Sequence, residues 1–128
     1  MKNKIQFISC AFTLLFFFTG CEKAKIEPAT NNLPTFVSFS KNIVPIINSN
    51  CVSCHGSSGS SAMTAPVLSG VNTYQDLLAS ADTISPANSD LYLMVTGKGD
   101  NPMPPSSKLS DYDAGLILKW MQQGAKNN

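Results

Sequence analysis

The stretch CVSCHGSSG, Cys51 to Gly59, decides how the rest of the chain is read. Two cysteines stand two residues apart, and a histidine follows the second directly. That spacing serves four chemistries: a redox dithiol, half of a zinc site, a surface disulfide, or a covalent anchor for a prosthetic group. Each needs a different partner elsewhere in the chain, so the remaining residues discriminate among them.

The chain opens MKNK, continues IQFISCAFTLLFFFT and then reads GC. Two lysines before an apolar run match the charged and hydrophobic regions of an export signal. The run is shorter than the roughly 20 residues that span a bilayer. It ends in FTGC, Phe18 to Cys21, which resembles the lipobox of bacterial lipoproteins, although Phe18 stands where leucine is commonest. That resemblance implies cleavage before Cys21 and acylation of its sulfur and amine. The expected division is a signal peptide over 1–20, a tether over 21–35 beginning at lipidated Cys21, and a domain over 36–128. The implied location is a bacterial membrane, facing the periplasm or the cell surface. Plain secretion and an uncleaved anchor are the alternatives.

Of the four cysteines, Cys10 lies in the signal and Cys21 takes the lipid. Only Cys51 and Cys54 remain, so no fourfold-cysteine metal site can form from what is left. Loss of Lys2 and Lys4 leaves seven lysines against eight acidic residues, with no arginine anywhere. A near-neutral chain without arginine excludes nucleic acid as the expected partner. It also provides no strong field to steer a charged one.

Residues 22–35, EKAKIEPATNNLPT, are poor in apolar side chains and read as flexible linker. Beyond them the pattern is all-α, with about four short helices. Phe36, Phe39, Ile43, Ile46 and Ile47 recur at helical spacing. Pro45 fits if that helix starts near Lys41 or Asn42, capped by Ser40 or Asn42. GSSGSSAMTAP, 56–66, is a loop. Thr73 is the expected cap of YQDLLASA, and Ser89 of DLYLMV, which Gly97 stops. Residues 98–109 hold too much Pro and Gly to be regular. Ser110, with Asp113 three later, forms a capping box with a shorter acid than usual. It opens DYDAGLILKWMQQ, closed by Gly124. Helices this short, separated by loops, bury little against one another. A large flat apolar group in their midst would supply the missing core.

C-x-x-C-H is the attachment signature of c-type haem: both thiols add across vinyl groups, and the histidine binds the iron. The rivals lack partners. A thioredoxin-like dithiol would require a strand and a parallel sheet. Zinc would need further ligands, and His55 is the only histidine in the chain. A second axial ligand then falls to methionine. Met1 leaves with the signal. Met94 and Met121 sit on apolar helical stretches, and Met63 follows His55 closely. Met103 stands in NPMPP, where Pro102, Pro104 and Pro105 restrict the backbone on both sides. It is the expected distal ligand, with Met63 and Met94 as alternatives.

NIVPIINSNCVSCHG, SDLYLMVTGKGDNPMPP and LSDYDAGLILKWMQQGA together resemble the small class I cytochrome c domain, particularly its planctomycete-type variety. The resemblance covers roughly 36–125. It implies an all-α fold around one covalent haem c, with Cys51 and Cys54 attached to it, His55 proximal and Met103 distal. It further implies that the first and last helices pack together. Gly115 either permits that approach or is merely tolerated, and Trp120 packs either beside the haem or in the ordinary core. Lys98 and Lys108, flanking the methionine loop, pair with haem propionates or are plain surface charges. The implied function is single-electron transfer rather than enzymatic catalysis. The expected partners are other cytochromes, a quinol-oxidising complex, an oxidase or a dehydrogenase. A haem-based ligand binder, sensor or small peroxidase with a labile distal methionine is the alternative, as is a module whose haem is mainly structural.

Overall fold

The computed structural model describes residues 32–59 and 66–128. The expected signal, lipidated Cys21, most of the tether and Met63 lie outside them. Among the described residues there are five α-helices, each short, and no strand. These are α1 (Val44–Asn50), α2 (Val52–His55), α3 (Thr73–Leu78), α4 (Asp90–Val95) and α5 (Asp111–Gln122), with 3₁₀ turns at Gly70–Asn72 and Pro86–Asn88.

The first helical segment begins earlier than Pro45 suggested. A π turn, Phe39–Ile43, leads directly into α1 and is capped by Ser38, whose hydroxyl accepts from the Lys41 N–H. Asn42 Oδ1 in turn accepts from the Ser38 N–H at 2.8 Å. Proline has no N–H to offer the preceding turn, and its ring crowds the carbonyl four residues back. Pro45 is the second residue of α1, in its first turn as expected, where neither problem arises, and the π turn extends the helical segment ahead of it.

Two other starts follow from local chemistry. Ser89 Oγ accepts from the Tyr92 N–H, and Ser110 Oγ accepts from the Asp113 N–H at 3.0 Å. The short acid at 113 cannot complete the usual box; its carboxylate accepts from the Ser110 hydroxyl instead, at 2.8 Å. Thr73 is not a cap. It is the first residue of α3, preceded by the Gly70–Asn72 turn, and its hydroxyl donates to the Gly70 carbonyl. Gly97 and Gly124, with φ of 69° and 89°, end α4 and α5 in the left-handed conformation that suits glycine.

α5 is the central element. It packs against the Phe39–Ile43 turn, α4 and the Pro86–Asn88 turn. Ile43, Ile47, Ile117, Trp120 and Met121 are almost wholly buried. The first and last helical segments therefore meet, as expected, but Gly115 is not their contact. A Cβ there would lie 3.0 Å from Leu33 Cδ1, so the glycine makes room for the N-terminal segment. Thr35, two residues on, accepts from Gln123 Nε2. Trp120 takes the core role. Its ring lies 5.5 Å from Phe39 and 6.4 Å from Tyr74, and its Nε1–H donates to the Lys126 carbonyl.

The C-terminal residues close this cluster over the start of the first helical segment. Asn128 Oδ1 accepts from the Phe39 N–H at 2.7 Å, and its backbone oxygen accepts from the Ser40 N–H and the Ser38 hydroxyl. Helix-opening N–H groups have no partner within the helix, and Asn128 supplies one from the far end of the chain. Trp120→Ala is expected to cost about 3–5 kcal/mol and Asn128→Ala about 1 kcal/mol, as read from denaturant midpoints followed by circular dichroism.

Candidate functional site

α1 and α2 meet at Cys51. Its own N–H donates to the Ile47 carbonyl at 2.9 Å, and its carbonyl accepts from the N–H groups of Cys54 at 3.1 Å and His55 at 2.8 Å. Residues 51–55 therefore form one tight helical turn. Gly56 must follow, because a Cβ there would lie 2.6 Å from the Val52 carbonyl oxygen. The chain leaves α2 at that point and returns at Pro66. There the Leu68 N–H donates to the His55 carbonyl, and the Ser57 N–H donates to Ser69 Oγ.

The same return holds the imidazole. His55 Nδ1 lies 3.2 Å from the Pro66 carbonyl oxygen. A carbonyl only accepts, so Nδ1 carries the proton. In the neutral ring Nε2 is then left with its lone pair, the form a metal requires. Sequence reasoning noticed Pro66 only as the end of a loop. Its contribution is a backbone carbonyl, which every residue type possesses, so no side-chain signal could have marked it.

Met103 belongs to an irregular segment fastened to α4 along its length. Lys98 and Gly99 N–H groups both reach the Leu93 carbonyl, the Met103 N–H donates to the Met94 carbonyl at 3.0 Å, and the Leu109 N–H donates to the Val95 carbonyl at 3.0 Å. The Met103–Pro104 peptide is cis. Neither flanking lysine lines the site. Lys98 Nζ sits 6.0 Å over the Tyr92 ring, and Lys108 forms an exposed ion pair with Asp111.

Cys51, Cys54, His55 and Met103 line one cavity of about 420 Å³. Its apolar walls include Ile47, Leu77, Leu91, Val95 and Ile117, all also members of the hydrophobic core. Met94, Asp76 and Ser80 complete part of the lining. Binding sites for organic cofactors fall in a range of roughly 300–1,000 Å³ and are mostly apolar with few polar groups. The site therefore suits a large apolar group with a metal centre: two thiols for attachment, one imidazole with a fixed tautomer, and a thioether. At about 24 cal/mol per Å³, failure to fill such a volume would cost at most about 10 kcal/mol. That is comparable with the whole stability of a small domain, about 5–15 kcal/mol.

The thiols differ in setting. Cys54 is exposed and Cys51 half-buried. Burial, and secondarily the neighbouring Cys54, pushes the Cys51 thiol above its ordinary pKa, so it is held as S–H at neutral pH. Among the described residues no group of three or more His, Cys, Asp or Glu side chains is arranged to hold a metal ion, and no strand precedes Cys51.

A family model described as Cytochrome c matches residues 41–125. No curated protein and no solved structure matches the chain.

Proposed function

The chain belongs to the cytochrome c family, whose members carry covalently bound haem c and serve in haem-based electron transfer, and on that premise we propose that it is a membrane-tethered monohaem carrier with His55 and Met103 as axial ligands. The observation that carries this reading is that both thiols, the chain's only histidine and Met103 line the same largely apolar cavity.

Haem iron supplies one-electron chemistry when bound. The protein's part is to hold and tune it. Cys51 and Cys54 would form the two thioether links from one helical turn. His55 offers Nε2 because Pro66 keeps the proton on Nδ1. Met103 offers a soft sulfur, which favours a higher potential than a second imidazole would. The apolar walls disfavour extra charge and so favour the reduced iron. If His55 and Met103 both held the iron, no coordination site would be left for a substrate, which favours a carrier over an enzyme.

The tether reading rests on MKNK, the apolar run and FTGC. Acylated Cys21 would keep the domain near membrane redox partners: other cytochromes, a quinol-oxidising complex, an oxidase or a dehydrogenase. Leu33 and Thr35 lie against α5 and its C-terminal end.

Four outcomes are expected. Protein matured in an exporting host should show the weak far-red band of a methionine–ferric bond and no shift with carbon monoxide or cyanide. Met103→His should lower the reduction potential by on the order of 0.1 V, a part of the roughly 0.8 V that axial ligands span; an unchanged potential would remove Met103 from the site. Cys51→Ala with Cys54→Ala should release haem on denaturing extraction, while the unaltered protein retains it. Cys21→Ala should abolish lipid labelling and move the protein to the soluble fraction.

A further inference from the structure

Two thioethers, not one, line the cavity. Met94 joins Met103 there, and the two are linked through the main chain, since the Met103 N–H donates to the Met94 carbonyl at 3.0 Å. They are carried very differently. Met103 sits on an irregular segment and is 36% exposed. Met94 is half-buried and sits on α4, a helix capped by Ser89 and closed by Gly97. Among the described lining residues there is no lysine, and His55 is the only histidine in the chain. When Met103 is lost, the described residues of the lining offer the iron no nitrogen ligand beyond His55. The strongest remaining soft donor on its walls is the Met94 sulfur.

We propose that Met94 is a reserve distal ligand: a second thioether, held on α4, that takes the iron when the Met103 sulfur is absent or altered. This rests on the reading of Met103 as the first distal ligand. The chemistry suits the placement. A thioether has no proton to lose, so the exchange needs no change of pH, and methionine's three rotatable bonds let its sulfur move without moving the helix. Oxidation is one route by which Met103 would be altered. Hydrogen peroxide would transfer one oxygen atom to its Sδ, leaving as water and converting the thioether to the sulfoxide. Met94 would then preserve a methionine-ligated centre.

The test uses the mature haem-loaded protein and three variants: Met103→Ala, Met94→Leu, and the two combined. Met94→Leu should keep the far-red thioether band, because the Met103 sulfur is still in place. Met103→Ala should retain a far-red thioether band and bind added imidazole at least about tenfold more weakly than the double variant, because imidazole must displace the Met94 sulfur in one and nothing in the other. Peroxide-treated protein whose oxygen maps to Met103 by peptide mass should likewise keep a thioether band, and should lose it when Met94→Leu is present. Identical spectra and imidazole affinities for Met103→Ala and the double variant would overturn the proposal while leaving Met103 as ligand. So would loss of the band in peroxide-treated protein whose Met94 is intact. Loss of the band in Met94→Leu alone, or its absence from the unaltered protein, would instead overturn the assignment of Met103, and this proposal with it.

Discussion

The hydrogen bond between His55 Nδ1 and the Pro66 carbonyl is the constraint on which the site depends. Its net contribution to stability is small, about 0.5–1.5 kcal/mol. Its chemical consequence is larger, because it decides which imidazole nitrogen keeps a lone pair. It also ties the end of α2 to the segment that returns at Pro66, itself part of the cavity lining. One interaction thus orients the ring and places one wall. The bond from the Leu68 N–H to the His55 carbonyl repeats the tie on the main chain, so the histidine is held at both its side chain and its backbone.

The rest of the molecule is organised around the surfaces that line the cavity. Ile47, Leu77, Leu91, Val95, Leu109 and Ile117 belong at once to the core and to the cavity walls. In a protein with helices of four to twelve residues, no pair of elements can bury a large area alone. The family's covalent haem c is therefore best regarded as part of the core. Within that same core, the aromatic cluster of Phe39, Tyr74 and Trp120 lies outside the cavity lining. It gathers the two ends of the domain, with Tyr74 Oη donating to the Ala125 carbonyl and Asn128 closing over Ser38 to Ser40. One core thus serves both the cavity wall and the closure of the chain.

Features that depend on neighbours in sequence were legible from the residues. Ser89 and Ser110 cap α4 and α5 because a hydroxyl reaches an N–H three residues on, whatever the fold around it. The all-α pattern and the grouping of both thiols with His55 followed from spacing of the same kind. Local reasoning failed where a neighbour changed the geometry. Pro45 lies in the first turn of α1 as expected, but the π turn at Phe39–Ile43 moves the cap back to Ser38 from the expected Ser40 or Asn42. Thr73 had a cap's chemistry, but the 3₁₀ turn before it took the position.

What the sequence determined by itself was the chemistry: two thiols and an imidazole on one turn, a methionine among prolines, and helices too short to do without a large apolar partner. These are properties of side-chain type and spacing. The tertiary structure alone decided which groups far apart in the chain share a wall or a bond. It set Pro66 against His55, Leu33 over Gly115, Asn128 on the first helical segment, and Met94 beside Met103 on the cavity. Most of these contacts use backbone atoms or plain apolar surface, which look alike in every residue that could provide them. Only the path of the folded chain distinguishes the residue that does.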